Sequence, residues 1–154
     1  RFETQSPKIF NENIRIAEFI AGPHMQSELI EAAIKLNFDA LLLHGTGLGH
    51  LPISNPENDS IENTSLKSVI EDYCLDDGIV VIVAQTINGP INMNIYSKGR
   101  KQQQMGILGH DSLCPPGSAL VKLHYLLSIN GKKEYIAKQW SSDLVGENPK
   151  FVSE

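Results

Sequence analysis

The fold is decided by the run Asp39-Ala-Leu-Leu-Leu-His-Gly-Thr-Gly-Leu-Gly-His50. Its first half, Asp39–His44, is a short and nearly continuous apolar run, which is typical of a strand buried on both faces of a parallel sheet. Its second half, Gly45–His50, places glycine at alternate positions, and glycine permits tight turns and close backbone approach. The run therefore predicts a central parallel strand that ends in a compact loop.

The segments on either side of this run alternate between strand and helix patterns. Asn13–Ile20 has the alternation of a strand, and Gln26–Leu36 has apolar residues at the spacing of an amphipathic helix. Downstream, Leu66–Leu75 has a helical apolar face, and Gly78–Val83 is the strongest buried-strand signal in the chain. We therefore expect two β-α-β units in an α/β fold. The architecture would be a Rossmann-like, three-layer sandwich with a small, about four-stranded parallel sheet flanked by helices.

The remainder of the chain supplies the other expected elements. Pro52–Ser65 is dense in turn-forming residues and predicts a surface loop, and Gly106–Gly109 would be a fourth, very short strand with its turn. Three further helices are expected at Ser97–Met105, Ala119–Leu127 and Lys132–Trp140. Residues 1–12 show no period and are interpreted as a leading segment or linker, so that the domain would span residues 13–154.

Composition restricts the functional class. The 154 residues are 41% hydrophobic and 20% charged, which suits one globular domain, and no apolar run is long enough to cross a bilayer. The net charge of -5 argues against a broad nucleic-acid-binding face. Cys74 and Cys114 lack the spacing of a zinc site, and free thiols in a reducing cytoplasm are favoured over a disulfide.

Two loops are candidates for chemistry because ligands of open α/β sheets bind at the carboxyl ends of the strands. They are Gly45–His50 and Gln85–Gly89. The glycine loop is not a dinucleotide-binding fingerprint, since Leu51-Pro52 follows it and no helix begins there. On the motif alone, a structural glycine turn is favoured over a functional loop.

Other candidate residues have ordinary structural interpretations. His44 ends a buried strand and is interpreted as a satisfied rim histidine, His124 as core packing, and His110-Asp111 as a turn. A solvated helix face explains the basic cluster Lys98, Arg100 and Lys101. We assign no catalytic residue, no metal ligand and no cofactor to this sequence.

Three ordered motifs nevertheless resemble a known family. They are Leu41–His50, Gln85–Arg100, and Gly106–Asp111 followed by Ala119–Leu127. Over roughly Ile14 to Ser141 the chain resembles the C-terminal domain of the asparaginase/glutaminase amidohydrolases. Within that family it is most similar to the asparaginase-type subunit of archaeal tRNA-dependent amidotransferases, and next to the type I bacterial L-asparaginases.

The resemblance implies a division of labour. In this family the threonine nucleophile and its catalytic partners lie in a preceding N-terminal lobe, so the isolated chain would be inactive. The C-terminal lobe would supply a homodimer interface and contacts to the amino-acid end of L-glutamine or L-asparagine. His50 falls where many members have an asparagine, and Tyr96 lies near an acidic position. The expected helper residues are His50, Thr46, Gly47, Gly49, Gln85, Asn94 and Tyr96.

The implied function is release of ammonia from glutamine in the cytoplasm, with a possible tRNA-binding partner subunit that forms Gln-tRNA(Gln). The alternatives are a type I L-asparaginase lobe, or a non-catalytic module for amino-acid sensing or oligomerisation. The chain departs from the family pattern at Val83–Thr86 and at Asp111–Gly117, where Gly117 replaces a commoner glutamate.

Overall fold

The computed structural model describes residues 10–58 and 60–149, and the expected leading segment lies outside it up to residue 9. The predicted alternation of strands and helices is confirmed. In chain order the elements are β1 Ile16–Ile20, α1 Ser27–Lys35, β2 Ala40–Gly45, α2 Ile61–Leu75, β3 Val80–Ala84, α3 Ser97–Gln104, α4 Pro116–Ile129 and α5 Lys133–Trp140.

Helix α2 begins earlier than its apolar face predicts. Its N-cap is Ser60, whose side-chain oxygen accepts a hydrogen bond from the Asn63 amide at 3.3 Å. The capping hydroxyl satisfies one of the free amides of the first turn, which is why serine favours this position. The first turn of α2 is polar and has no apolar stripe, so the sequence pattern assigns it to the preceding loop.

The sheet is parallel with the order β1-β2-β3, so the described residues form three strands rather than about four. Leu108 supplies only a single parallel bridge to Val81. The Leu108 amide donates to the Val80 carbonyl at 2.9 Å, and the Ile82 amide donates to the Leu108 carbonyl at 2.8 Å. Gly106 and Gly109 flank it with φ of +94° and +136°, and this turning backbone prevents a longer strand.

Helices cover both faces of the sheet, which confirms the three-layer architecture. Leu41 and Leu43 of β2 pack with residues of α1 and α2, whereas Ala40 and Leu42 pack with residues of α4 and α5. Successive strand side chains point to opposite faces of the sheet, so the continuous apolar run contributes side chains to two separate hydrophobic cores. Residues 40–43 are fully buried.

The described end of the leading segment packs on α4. Phe10 makes an edge contact with His124, with ring centroids 5.2 Å apart, and His124 Nε2 lies 2.8 Å from the Asn11 carbonyl oxygen. The Asn11 amide donates to Ser128 Oγ at 3.0 Å. The interpretation of His124 as core packing is therefore wrong. It lies half-buried on the outer face of α4, because that helix buries only one side.

A buried ion pair attaches the segment after α5 to α4. Lys122 Nζ lies 2.7 Å from Glu147 Oε1, with 2% and 8% of the two side chains exposed. Lys122 also donates to the Ser142 carbonyl at 2.5 Å. The Glu147 carboxylate accepts hydrogen bonds from the amides of Leu144 and Val145. These partners satisfy both charges, as a buried pair requires.

The pair makes stability depend on pH. Burial raises the pKa of Glu147, but the hydrogen bonds from Lys122 and from backbone amides outweigh burial, and the net pKa is below its ordinary value. A carboxyl whose folded pKa is lowered stabilises the fold above its unfolded pKa, and loses that contribution as the pH falls through its folded pKa.

We expect Glu147→Gln to lower the free energy of unfolding at pH 7 by about 3–5 kcal/mol, because Lys122 would be left buried without its counterion. The deficit relative to wild type should shrink as pH falls below the ordinary pKa of glutamate and through the lower pKa of Glu147 in the folded state, where wild type also loses the charge. Urea unfolding between pH 3 and 7 measures both effects. Glu134→Gln, which removes the same charge from an exposed site on α5, is the control. Equal stability of the two variants at pH 7 would contradict the interpretation.

Candidate functional site

The loops that follow the three strands meet at one edge of the sheet. Gln85, the first residue after β3, donates from its backbone amide to the Gly45 carbonyl at 2.9 Å. Its side-chain Nε2 donates to the carbonyls of Ala21 at 2.6 Å and His44 at 2.8 Å. The Gln85 carboxamide thus joins the chain after β1 to the end of β2. This predicted helper residue has a structural role at the site.

The glycine loop is a closed hairpin. The Thr46 amide donates to the His50 carbonyl at 3.0 Å, and the His50 amide donates to the Thr46 carbonyl at 2.8 Å. The Gly49 amide also donates to the Thr46 carbonyl, at 3.0 Å. These three amides are occupied within the loop, so they are not directed at an anion. The alternating glycines thus form a turn, and the exposed surface of the loop is formed by Thr46 and Gly47.

Steric limits explain the glycines. A Cβ on Gly45 would lie 2.7 Å from the Gly49 carbonyl carbon, and one on Gly49 would lie 2.7 Å from Ile91 Cδ1. Gly49 also has φ of +97° and Gly47 has φ of +53°, conformations that glycine adopts at no steric cost. The hairpin can therefore lie flat against the loop after β3, where the Asn92 amide donates to the Leu48 carbonyl at 3.1 Å.

His50 has the chemistry of a binding group. Its side chain is half-buried, and its Nε2 is buried without a hydrogen-bond partner among the described residues. Burial, and then the charge of Lys98, lower the pKa of the imidazole below its ordinary value. The neutral form of the ring is therefore favoured more strongly than in an ordinary histidine. It makes an edge contact with Tyr96, with ring centroids 5.3 Å apart, so the structure brings these two predicted helpers together.

Asn94 lies in a second polar group beside this pair. Its side-chain nitrogen is 2.8 Å from His110 Nε2, and its Oδ1 accepts from Gln103 Nε2 at 2.9 Å. The Asn94 carbonyl accepts from Arg100 at 2.8 Å. The Met93 amide donates to His110 Nδ1 at 3.2 Å. Asn94 is thus exposed but internally bonded, and His110 lies in a turn, as predicted.

Sequence reasoning missed one residue of the site. Gln102 lies on polar helix α3 but is fully buried. Its Nε2 donates to the Gly49 carbonyl at 2.7 Å, and its Oε1 accepts from the Leu51 amide at 2.9 Å. The surrounding run of lysine, arginine and glutamine predicts a solvated face, and only the nearby Gly99, buried against Met93, indicates that α3 packs closely.

The remaining candidates do not add a nucleophile. His44 Nε2 lies 3.0 Å from Glu18 Oε1, which confirms it as a satisfied rim histidine. Cys74 and Cys114 are free, as expected. Both are also buried, and burial raises the pKa of each thiol to about 11. Thiols that stay protonated at neutral pH are poor nucleophiles.

Two other kinds of feature are absent from the part of the chain that the structure describes. It contains no cluster of three or more histidine, cysteine or acidic side chains placed to hold a metal ion. Nor do residues 10–58 and 60–149 include a helix with the length and apolar character needed to cross a membrane.

The fold and the site define an α/β domain with a closed glycine hairpin and neighbouring polar side chains at the carboxyl edge of a parallel sheet. The family model described as the glutaminase/asparaginase C-terminal domain matches residues 15–139. The chain belongs to this family, which confirms the resemblance inferred from the three motifs.

Curated relatives of the chain include subunits of glutamyl-tRNA(Gln) amidotransferases. The chain is 32% identical over 142 residues to one such amidotransferase subunit from Methanococcus maripaludis strain C7, covering 90% of this chain and 31% of the relative. It is also 32% identical to the corresponding subunit from Methanopyrus kandleri, covering 96% of this chain and 30% of the relative. The chain thus spans about a third of the length of these relatives.

Solved structures similar to the chain include two asparaginases. L-asparaginase I of Vibrio cholerae superposes with a TM-score of 0.71 at 27% identity, over 88% of this chain and 38% of that one. The thermostable L-asparaginase of Thermococcus kodakarensis superposes with a TM-score of 0.75 at 21% identity, over 96% of this chain and 44% of that one, and supports the fold alone.

The contact between Gly45 and Gly49 generates a stability prediction. Gly45→Ala should lower the free energy of unfolding by about 1–3 kcal/mol, because the added methyl group meets backbone atoms that cannot rotate away. Gly117→Ala, in the first turn of α4 with open space around it, is the control and should be neutral or stabilising by up to about 1 kcal/mol. Urea denaturation of both variants measures the difference. A Gly45→Ala variant as stable as Gly117→Ala would show that the hairpin is not closely packed.

Proposed function

We propose that this chain is the C-terminal lobe of an amidohydrolase that releases ammonia from glutamine, as the asparaginase-type subunit of a tRNA-dependent amidotransferase. The observation that carries the proposal is His50. Its Nε2 is buried without a hydrogen-bond partner among the described residues, and its ring lies against Tyr96. The loop that carries it is closed by backbone hydrogen bonds at the carboxyl edge of the sheet. The 32% identity to subunits of two archaeal amidotransferases supports the glutamine-dependent branch of the family.

The nucleophile would be supplied by an N-terminal lobe of the complete protein. A threonine hydroxyl activated by a lysine would attack the side-chain amide, form an acyl-enzyme and release ammonia. Backbone donors of that lobe would stabilise the oxyanion. The present lobe would bind the other end of the substrate, where the neutral His50 imidazole donates or accepts one hydrogen bond. This assignment agrees with the two buried thiols, which stay protonated at neutral pH.

The proposed assembly is a homodimer in which each lobe completes the site of its neighbour. Three large side chains lie exposed beside the site, with 79% of Ile87, 55% of Ile95 and 56% of Tyr96 accessible. An apolar patch next to polar binding groups is typical of a surface covered by another protomer. The net charge of -5 favours a separate partner subunit as the main tRNA-binding surface. Two free thiols favour a cytoplasmic location.

A second candidate function is L-asparagine hydrolysis. The superposition on L-asparaginase I of Vibrio cholerae, at a TM-score of 0.71 and 27% identity, favours it. The two substrates differ by one methylene, and a pocket separates such a pair by only about 1–3 kcal/mol. Parallel assays on glutamine and asparagine therefore distinguish the two functions by the ratio of kcat/KM.

For the complete protein, we expect His50→Ala to raise KM for the amino-acid substrate about tenfold with a smaller change in kcat, because His50 would bind the ground state and the transition state alike. His124→Gln is the control, since His124 lies on the outer face of α4. Steady-state ammonia release measures both parameters. Unchanged kcat and KM in His50→Ala would favour a sensing or oligomerisation module instead.

The isolated chain of 154 residues should release no ammonia from glutamine or asparagine above background. The reason is that the described residues include no nucleophile activated by a base. A coupled ammonia assay at high protein concentration provides the measurement, with light scattering of the same sample to report its oligomeric state. Robust turnover by this chain alone would contradict the proposed division of labour.

A further inference from the structure

Helix α3 is polar along its length, yet one of its glutamines faces inward. Gln102 is 0% exposed, whereas Gln104 on the same helix is exposed. The Gln102 carboxamide meets the glycine hairpin at the two peptide groups on either side of His50. Its nitrogen is 2.7 Å from the Gly49 carbonyl oxygen, and its oxygen is 2.9 Å from the Leu51 amide nitrogen.

We propose that Gln102 is a positioning residue, whose buried carboxamide clamps the main chain on both sides of His50 and so fixes the direction of the His50 ring. The inference rests on the proposed function, since it acts through His50. Gln102 itself touches neither substrate nor reacting atoms in this scheme.

The clamp needs a side chain that donates and accepts at once. A carboxamide does both with two atoms on one planar group, which matches the carbonyl of Gly49 and the amide of Leu51. An apolar residue of the same length would fill the volume but leave a buried carbonyl and a buried amide unpaired, which is unfavourable. Rigid positioning therefore depends on the amide chemistry of Gln102 rather than on its size.

The same helix also holds the neighbours of His50. Tyr96, which makes the edge contact with the His50 ring, is the N-cap of α3. Lys98, whose charge lowers the pKa of His50, lies in the first turn. Arg100 and Gln103 bond Asn94 from further along the helix. One rigid element thus positions both His50 and the groups that surround it.

Close packing prevents α3 from sliding. A Cβ on Gly99 would lie 2.6 Å from the Met93 carbonyl oxygen, so the helix rests directly on the chain that follows β3. This contact keeps α3 against the segment after β3, and the Asn92 amide of that segment donates to the Leu48 carbonyl of the hairpin. Loss of the clamp would free the hairpin while the helix remained in place.

The first experiment compares Gln102→Met with Gln104→Met in the complete protein with 13C-labelled histidine. In Gln102→Met the hairpin should loosen and expose the His50 ring, so the pKa of His50 measured by NMR should rise towards its ordinary value. Exchange of the Gly49 and His50 amide hydrogens should also accelerate. Gln104→Met should match wild type. A His50 pKa and amide exchange that are unchanged in Gln102→Met would overturn the inference.

Gln102→Glu distinguishes hydrogen bonding by Gln102 from packing alone, because glutamate has nearly the same size but a pH-dependent hydrogen-bonding capacity. A protonated carboxyl can accept from Leu51 and donate to Gly49, whereas a carboxylate would face the Gly49 carbonyl with two acceptors. Burial raises the pKa of such a carboxyl. In Gln102→Glu, exchange of the Gly49 and His50 amide hydrogens should therefore match that of wild type at low pH. It should become faster than in wild type as pH rises and the carboxyl ionises. In Gln102→Met, amide exchange should be faster than in wild type at every pH. Equal exchange rates in the two variants at every pH would contradict the clamp. This variant also keeps the test available if Gln102→Met does not fold.

Kinetics separate failure of this inference from failure of the proposed function. If both hold, Gln102→Met raises KM in the same direction as His50→Ala with a smaller change in kcat, and the double variant adds little. If His50→Ala leaves kcat and KM unchanged while Gln102→Met still alters the His50 signals, the clamp exists and the proposed function is wrong. If His50→Ala raises KM while Gln102→Met changes neither KM nor the His50 signals, the function stands and the clamp is rejected.

Discussion

Burial of β2 on both faces is the constraint on which the rest of the structure depends. A strand whose side chains 40–43 are all fully buried needs a helical layer above and below it. α1 and α2 provide one layer, and α4 and α5 provide the other. With both faces covered, the chain leaves the sheet at its carboxyl edge, and the loops after the three strands meet there. The site is thus a consequence of how the core is closed.

The same constraint explains which features could be predicted. Continuous apolar runs at Asp39–His44 and Gly78–Val83 identify buried strands, and the helical spacing of Gln26–Leu36 identifies a helix between strands, so the α/β class follows from local patterns. The glycine hairpin is also evident, because alternating glycine has few other structural uses. The family resemblance assigns His50 and Tyr96 separately to the amino-acid end of the substrate, and the structure brings their rings together.

The features that could not be predicted depend on partners far apart in the chain. Gln102 bonds residues separated from it by 51 and 53 positions, and the surrounding polar residues conceal its burial. Lys122 and Glu147 are likewise distant in sequence. The residues around Lys122 in its apolar helix do not indicate which acidic residue pairs with it. The expected fourth strand is reduced to one bridge because two glycines with positive φ flank Leu108, which composition alone does not show.

The electrostatics of the site favour binding over bond cleavage. Burial raises the pKa of the thiols, His44 and His110 are occupied by hydrogen bonds, and His50 has a lowered pKa and an Nε2 without a hydrogen-bond partner among the described residues. A neutral group that is already desolvated and held in place loses little conformational entropy when a ligand arrives, which is the physical basis of preorganisation. Rigidity of the hairpin is therefore as important as the identity of His50. Gly45 and Gly49 make that rigidity sterically possible, and the Gln102 carboxamide provides the polar contacts that maintain it.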